Sequence, residues 1–169
     1  MLIFDLETDG LIADATVIHC LCIYDTQTDQ TFTFNDKGSQ EPIVRGVQFL
    51  EDADCIIGHN IIGFDIPILS KFYPWFRRSR DCIDTLVLSH LLHPDLKESD
   101  LKRPPKFMPK NLYGRHNLES YGYRLGEYKG TFAHQTDWKN WSEEMEEYME
   151  QDVKVTRKLW KHFQPYLLG

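Results

Sequence analysis

The sequence predicts an α/β fold in one domain. Three short apolar runs, at residues 2–7, 17–24 and 31–34, have the pattern of β-strands and are separated by turn signals such as Asp9-Gly10. Because the connections between them are short, we expect an antiparallel meander. Further along the chain, short apolar strands alternate with helical patterns, as an α/β domain requires. The 169 residues are enough to bury one core, so we expect a single domain over residues 1–169.

Residues 41–92 carry the alternating part of the predicted fold. We expect a helix, a buried strand, a second helix, a short strand and a third helix, in that order, at residues 41–51, 54–58, 65–72, 82–83 and 85–92. Asp84 is predicted to cap the third helix, because its carboxylate can accept a hydrogen bond from the first turn.

The last part of the chain begins with a segment predicted to be irregular. Residues 93–116 are rich in proline and in basic side chains, and loops of this length are usually functional. A short helix is predicted over 117–124, followed by irregular structure to residue 140. The clearest helix of the chain begins after Ser142, a good N-cap, and its apolar period runs to about residue 163.

The composition excludes several classes of protein. Hydrophobic residues make up 41% of the chain and aromatic residues 13%, as in folded rather than disordered proteins. No apolar run approaches the roughly 20 residues that span a bilayer, and the N-terminus lacks the basic region of a signal peptide. We therefore expect no membrane partner and a cytoplasmic location. The four cysteines show no CxxC spacing, which favours small buried hydrophobes over zinc ligands or disulfides.

The charge of the chain is unevenly distributed. A net charge of −7 is unusual for a nucleic-acid binder, since phosphate affinity normally comes from an excess of lysine and arginine. Residues 101–116, however, contain five cations and no acid: Lys102, Arg103, Lys106, Lys110 and Arg115. This segment is a candidate strand-binding loop, and the alternative is an ordinary solvated loop.

Several acids fall on faces that are predicted to be buried. In the first strand, Asp5 and Glu7 point to the same side, because side chains alternate along a strand. Asp152 falls on the apolar stripe of the last helix, and Tyr148 lies one turn earlier on the same face. Asp65 stands between two apolar neighbours at the start of the second helix.

A shared cation site is the economical explanation for these acids. Burying one unpaired carboxylate costs several kcal/mol, and no lysine or arginine occupies a pairing position on the same predicted faces. Four carboxylates suit a hard ion such as Mg²⁺ or Mn²⁺ better than zinc, and paired divalent ions are typical of displacement at phosphorus. The alternatives are that Asp5 and Glu7 lie at an exposed strand end, that Asp65 caps its helix, and that Asp152 faces solvent.

Three motifs in this order carry a family resemblance. They are DLE at 5–7, N-x-x-x-F-D at 60–65 and Y-x-x-x-D at 148–152. Together they resemble the three exonuclease motifs of the DEDD superfamily, in its tyrosine (DEDDy, DnaQ-like) subclass. The segments 82–100 and 116–130 are further similar to the proofreading exonuclease domain of family A bacteriophage DNA polymerases. The resemblance covers essentially the whole chain.

The resemblance implies a fold and a reaction. The fold is ribonuclease H-like, with a five-stranded mixed sheet flanked by helices. The reaction is metal-dependent 3′→5′ hydrolysis of single-stranded DNA to nucleoside monophosphates. Two divalent cations, Mg²⁺ or Mn²⁺, would activate the attacking water and stabilise the leaving 3′-oxygen. Carried over by position, the metal ligands are Asp5, Glu7, Asp65 and Asp152. Tyr148 and Glu7 would orient the water.

The resemblance also implies substrate contacts. Thr8 and Leu11 match positions near the terminal nucleotide, where Leu11 would act as an apolar wedge, and Asn60 and Phe64 match positions along the strand's path. No polymerase follows in the sequence, so we expect a free-standing nuclease or one module of a longer protein. A nuclease module without a polymerase needs its own residues to bind the strand. The candidates are Lys102, Arg103 and Lys106 for phosphates, with Phe107 or Tyr113 for stacking.

Two other functions remain open from the sequence. One is an RNA-directed 3′→5′ exonuclease of the same superfamily, since contacts to the backbone do not by themselves exclude a 2′-hydroxyl. The other is a non-catalytic accessory module that binds nucleic acid or a polymerase. The expected partners are single-stranded nucleic acid, DNA rather than RNA, and a DNA polymerase or another replication or repair protein. The expected compartment is the cytoplasm of a bacterial or phage-infected cell.

Overall fold

One mixed β-sheet organises the chain. The structure, a computed structural model, describes residues 1–77, 81–127 and 137–168. The strands are β1 (Leu2–Thr8), β2 (Ile18–Asp25), β3 (Gln30–Phe34), β4 (Cys55–Gly58) and β5 (Asp81–Asp84). Their order in the sheet is β3-β2-β1-β4-β5; β1, β2 and β3 are antiparallel neighbours, and β4 and β5 run parallel to β1. The predicted five-stranded mixed sheet, with its opening meander, is confirmed.

Helices cover both faces of this sheet. They are α1 (Ile43–Glu51), α2 (Ile66–Phe72), α3 (Thr85–Leu92), α4 (Leu96–Lys102), α5 (Leu118–Arg124) and α6 (Glu143–Leu167). The predicted caps are confirmed, because Asp84 accepts a hydrogen bond from the Leu86 N–H in α3 and Ser142 accepts one from the Met145 N–H in α6. Within the described residues, no helix is both long and apolar enough to cross a membrane.

The side chains of β1 alternate between two apolar cores, one on each face of the sheet. Leu2, Phe4 and Leu6 point to one face, where they pack with the apolar sides of α1 and α2. Ile3 points to the other face and packs with Met149 and Val153 of α6, together with Cys20 and Cys22 of β2. Cys20 and Cys22 are therefore buried hydrophobes, as predicted. Because Asp5 and Glu7 follow Ile3 at intervals of two, they also face α6.

The prediction of an irregular segment over 93–116 is wrong in part. Residues Leu96–Lys102 form α4, and Lys110–Leu112 form a 3₁₀ turn. Leu96 anchors α4 in a third apolar cluster, where α3, α4 and α5 pack against the second half of α6. The sequence shows no apolar period for this helix, because only two of its seven residues, Leu96 and Asp100, are buried.

Hydrogen bonds to Asp100 join α4 to α5 and to the segment between them. Its carboxylate accepts hydrogen bonds from Nη2 of Arg124 at 2.7 Å, from Nε of Arg124 at 3.0 Å and from the Gly114 N–H at 2.8 Å. Gly114 has a left-handed φ of +78°, and a Cβ there would lie 2.7 Å from the Cβ of Lys97. Glycine is therefore needed for the chain to return close to α4.

Candidate active site

Three carboxylates meet between β1 and α6. One carboxylate oxygen from each of Asp5, Glu7 and Asp152 lies within 4.8 Å of the other two. Asp5 and Glu7 are half-buried and Asp152 is only 6% exposed, flanked along α6 by the buried residues Met149 and Val153. The structure thus brings together three of the four predicted metal ligands. It also places Asp152 on the buried stripe of its helix rather than in solvent.

Asp65 lies next to this acid cluster but is not one of its three mutually close groups. It ends a π-helical turn over Ile61–Asp65 and is 3% exposed. Burial raises the pKa of its carboxyl well above the ordinary value, and the charges of Asp84 and Asp152 raise it further. Backbone N–H groups, including that of Leu6, act in the opposite direction but do not outweigh burial. Its Oδ1 has no hydrogen-bond partner among the described residues. A buried acceptor of this kind points to a ligand.

Asp65 lies beside a part of β1 that β4 does not pair with. Strand β4 pairs only with Leu2 and Ile3 of β1, whereas β1 continues to Thr8. The Leu6 N–H, beyond this pairing, is close enough to Asp65 to lower the pKa of its carboxyl. Asp65 therefore approaches β1 past the last residue pair that β1 forms with β4.

Asp84 organises the second motif, a role that the sequence prediction missed. Besides capping α3, its carboxylate accepts hydrogen bonds from the N–H of Asn60 at 2.8 Å and from the N–H of Ile62 at 3.0 Å. Asn60 has a left-handed φ of 60°, and these bonds hold the turn that leads to Asp65. A sequence signal existed, since Asp84 ends a strand beside β4 and parallel strands bring such ends together.

The donor set at this site fits divalent cations. Carboxylate oxygens are hard ligands, and three of them converge beside a fourth, buried carboxylate. The charges of these acids also affect a buried neighbour. Burial raises the pKa of the Cys20 thiol, and the charges of Glu7, Glu146 and Asp5 raise it further. Tyr148 is half-buried one turn before Asp152, with its ring edge-on to Trp138 at 6.1 Å between centroids.

The loop after β1 carries the first two predicted substrate contacts. Thr8 is buried, and its hydroxyl donates a hydrogen bond to the carbonyl of Gly10. Leu11 is 74% exposed at the surface of this loop. Lys71 of α2, which the sequence prediction missed, donates hydrogen bonds from Nζ to the carbonyls of Ile12 at 2.8 Å and Ala15 at 2.7 Å. Lys71 therefore fixes the loop that presents Leu11.

The other predicted substrate contacts lie in two separate places. Asn60 is exposed at the turn after β4, and Phe64 is half-buried against the first apolar core. Lys102, Arg103 and Lys106 are exposed, and they belong to the segment that packs on α5 rather than to the acid cluster. Arg103 lines a cavity that also contains His93 and His162, and Lys106 lines a second cavity beside Tyr123.

Comparisons with known proteins agree with this architecture. A model of the RNase H superfamily matches residues 2–164. The chain is 34% identical over 189 residues to the DNA-directed DNA polymerase of Escherichia phage T7; the match covers 94% of this chain and 26% of the polymerase. The expected likeness to bacteriophage DNA polymerases is therefore confirmed, and the chain spans about a quarter of that relative's length.

Solved structures share the fold at low sequence identity. Brucella melitensis NrnC with bound Mg²⁺ aligns with a TM-score of 0.61 at 17% identity, over 97% of this chain and 71% of NrnC. The zinc-bound form of the E. coli ExoI–ssDNA complex aligns with a TM-score of 0.55 at 17% identity, over 99% of this chain and 41% of ExoI. The ribonuclease H-like fold implied by the motifs is confirmed. A match over nearly the whole chain, on a mixed sheet that carries three converging acids, shows that the protein belongs to the RNase H superfamily.

Proposed function

We propose that this chain is a metal-dependent 3′→5′ exonuclease that hydrolyses single-stranded DNA to nucleoside monophosphates. The observation that carries the proposal is the convergence of Asp5, Glu7 and Asp152 within 4.8 Å beside the buried carboxyl of Asp65. The three motifs that contain these acids support the direction of cleavage by their resemblance to DEDD exonucleases. The likeness to a DNA polymerase and to ExoI in complex with ssDNA supports a DNA substrate.

The four acids would hold the cofactor. We assign Asp5, Glu7, Asp65 and Asp152 as ligands of two divalent cations, Mg²⁺ or Mn²⁺, and the Mg²⁺-bound NrnC structure supports this class of ion. When bound, the cations would supply the positive charge that activates a water molecule and offsets the charge on the phosphate. The Tyr148 hydroxyl and the Glu7 carboxylate would orient that water, because Glu7 belongs to the acid cluster and Tyr148 lies one turn before Asp152 on α6.

The loop after β1 and the turn after β4 would recognise the strand end. Leu11 projects from a loop that Lys71 holds at two carbonyls, so it can act as a fixed apolar wedge against the terminal base. Thr8, Asn60 and Phe64 would line the path of the last nucleotides. Farther from the acids, Lys102, Arg103 and Lys106 would contact phosphates of the single strand. The protein would act alone or beside a polymerase or another replication or repair protein.

A time course on labelled strands tests the proposal. Single-stranded DNA and RNA of one sequence, labelled at the 5′ end, are incubated with Mg²⁺, Mn²⁺ or EDTA. We expect a descending ladder that needs metal, runs faster on DNA and falls by about 10³-fold in Asp152→Ala. Glu144→Gln, an exposed acid in the first turn of the same helix, is the matched control and keeps full activity. Binding without any ladder would identify an accessory module instead.

A further inference from the structure

A second cavity, of about 430 Å³, lies outside the acid cluster on the surface of α5. We name it the Phe107 pocket; the described residues that line it are Lys106, Phe107, Gly122, Tyr123 and Gly126. The lining is mostly apolar, with one aromatic ring from the basic segment and one from α5. Neither the metal chemistry nor the recognition of the strand end uses this cavity.

Phe107 is held outward by its backbone. The Met108 N–H donates to the Pro105 carbonyl at 3.2 Å, and this closes a β-turn in which Phe107 occupies the third position with a φ of 63°. Glycine is the usual residue for that left-handed conformation, so a phenylalanine there costs on the order of 1 kcal/mol. Met108 is buried and anchors the turn, whereas the Phe107 side chain is 83% exposed. An aromatic ring kept in solvent at such a cost points to a binding role.

The opposite wall of the pocket suits a flat ring. Tyr123 supplies a second aromatic side chain, and Gly122 and Gly126 line the cavity with backbone alone. At Gly126, whose φ is +72°, an added Cβ would meet no atom of the described residues within 4 Å. A planar ligand can therefore enter between Phe107 and the backbone of α5.

The charge around the pocket selects the class of planar ligand. Nζ of Lys106 lies 5.0 Å from the centroid of the Phe107 ring, which places a cation at the mouth of the pocket. Lys102, Arg103 and Lys110 are close in the chain, and the sequence from 101 to 116 contains no acid. An aromatic slot with a cation at its mouth complements a base joined to a phosphate.

The residue that follows the pocket in the chain contacts α6. Gly126 precedes Glu127, whose Oε2 accepts a hydrogen bond from Nε2 of Gln151 at 3.2 Å. Gln151 in turn precedes Asp152. A hydrogen bond therefore joins the residue that follows the pocket to α6, one residue before Asp152.

We propose that the Phe107 pocket binds one nucleobase of the single strand, upstream of the nucleotide being removed, with Lys106 on the adjacent phosphate. This subsite rests on the proposed exonuclease function. The base stacks on Phe107 and Tyr123, and such stacking tolerates any sequence because every base has an aromatic face. The pocket would give long strands an affinity that a dinucleotide, too short to reach it, cannot gain.

Kinetics on strands of increasing length test the subsite. We expect Phe107→Ala to raise KM for long single strands by about tenfold while leaving kcat and dinucleotide hydrolysis unchanged. Phe107→Trp should keep the low KM of the wild type. Phe107→Gly suits the left-handed turn, so it should be at least as stable as the wild type to urea and yet lose affinity. An equal KM for long strands in the wild type and Phe107→Ala would overturn the proposal.

A binding measurement separates the subsite from catalysis. Strands with 2-aminopurine at successive positions are titrated with Asp152→Asn, and fluorescence is quenched where that base stacks on a ring. We expect one internal position of quenching, removed by the additional change Phe107→Ala. Quenching that survives this change would overturn the subsite. If the wild type cleaves no strand, the exonuclease proposal fails, and the fluorescence result still decides whether the pocket binds a base.

Discussion

Asp65 and Asp100 are buried to the same extent but have opposite electrostatic environments. Each is 3% exposed. Burial raises the pKa of Asp65 well above the ordinary value, and two neighbouring carboxylates reinforce the shift. At Asp100 burial also acts to raise the pKa, but the hydrogen bonds from Arg124 and Gly114 outweigh it and the pKa is lowered. Arg124 offsets the charge of Asp100 within the fold, whereas the surroundings of Asp65 disfavour its charged form, as we expect for a ligand of the proposed cations.

Replacing Asp65 should separate activity from stability most strongly. Asp65→Asn keeps the size of the side chain but removes its charge, so we expect cleavage to fall by about 10³-fold. In EDTA its free energy of unfolding should equal or exceed that of the wild type, because repulsion with Asp152 and Asp84 disappears. Rates on labelled DNA and urea denaturation measure the two effects. A less stable Asp65→Asn protein in EDTA would contradict the comparison.

Replacing Asp100 should have the opposite result. Asp100→Asn leaves the Arg124 guanidinium, on a side chain only 9% exposed, without its counter-charge. We expect the free energy of unfolding to fall by about 3 kcal/mol. Hydrolysis of a dinucleotide should stay within about twofold of wild type, since Asp100 lies on α4, outside the acid cluster. A large loss of dinucleotide hydrolysis in a folded sample would contradict this separation.

The dependence of stability on pH shows whether the charged or the protonated form of Asp100 stabilises the fold. Its pKa is lowered in the folded state from the ordinary value of 3.8, so its stabilising contribution is present above that pH. The contribution is lost as pH falls below 3.8 toward the folded pKa. The difference in stability between the wild type and Asp100→Asn should therefore shrink between pH 5 and pH 2 in urea titrations. A difference that grows on acidification would show that the carboxylate is not the stabilising form.

Metal binding should change stability by slightly less than the loss of the Asp100 charge. A ligand that binds only the folded state at 100 times its Kd adds about 2.7 kcal/mol to the free energy of unfolding. We expect Mg²⁺ or Mn²⁺ to raise the melting temperature of the wild type and of Asp100→Asn, and to raise that of Asp65→Asn much less. Differential scanning calorimetry with and without EDTA measures this effect. An equal shift in all three proteins would place the bound metal elsewhere.

The sequence predicted those features that depend on local periodicity. The two-residue alternation of β1 placed Asp5 and Glu7 on one face, and the period of α6 placed Asp152 on its buried side. The structure brings these three acids together as expected. The position of Asp65 outside that group depends on a π-helical turn, which leaves no periodic pattern in the sequence.

Features that depend on distant partners were not predictable in this way. Helix α4 is short and mostly polar, and Asp100 acquires its role through Gly114 and Arg124, 14 and 24 residues later in the chain. Lys71 supports the Leu11 loop across a separation of more than 50 residues, through backbone carbonyls that any sequence could provide. Asp84 was predicted as a cap, but its bonds to Asn60 and Ile62 follow from the pairing of β4 with β5.

The short pairing of β4 with β1 limits how this catalytic set could be transplanted. Asp65 lies near the Leu6 amide, beyond the two residues of β1 that pair with β4. A designer who copied the four acids onto a sheet with strands of equal length would place the backbone of β4 where Asp65 lies here. We therefore expect a transplanted site to need the early end of this strand pairing as well as the four acids that we propose as ligands.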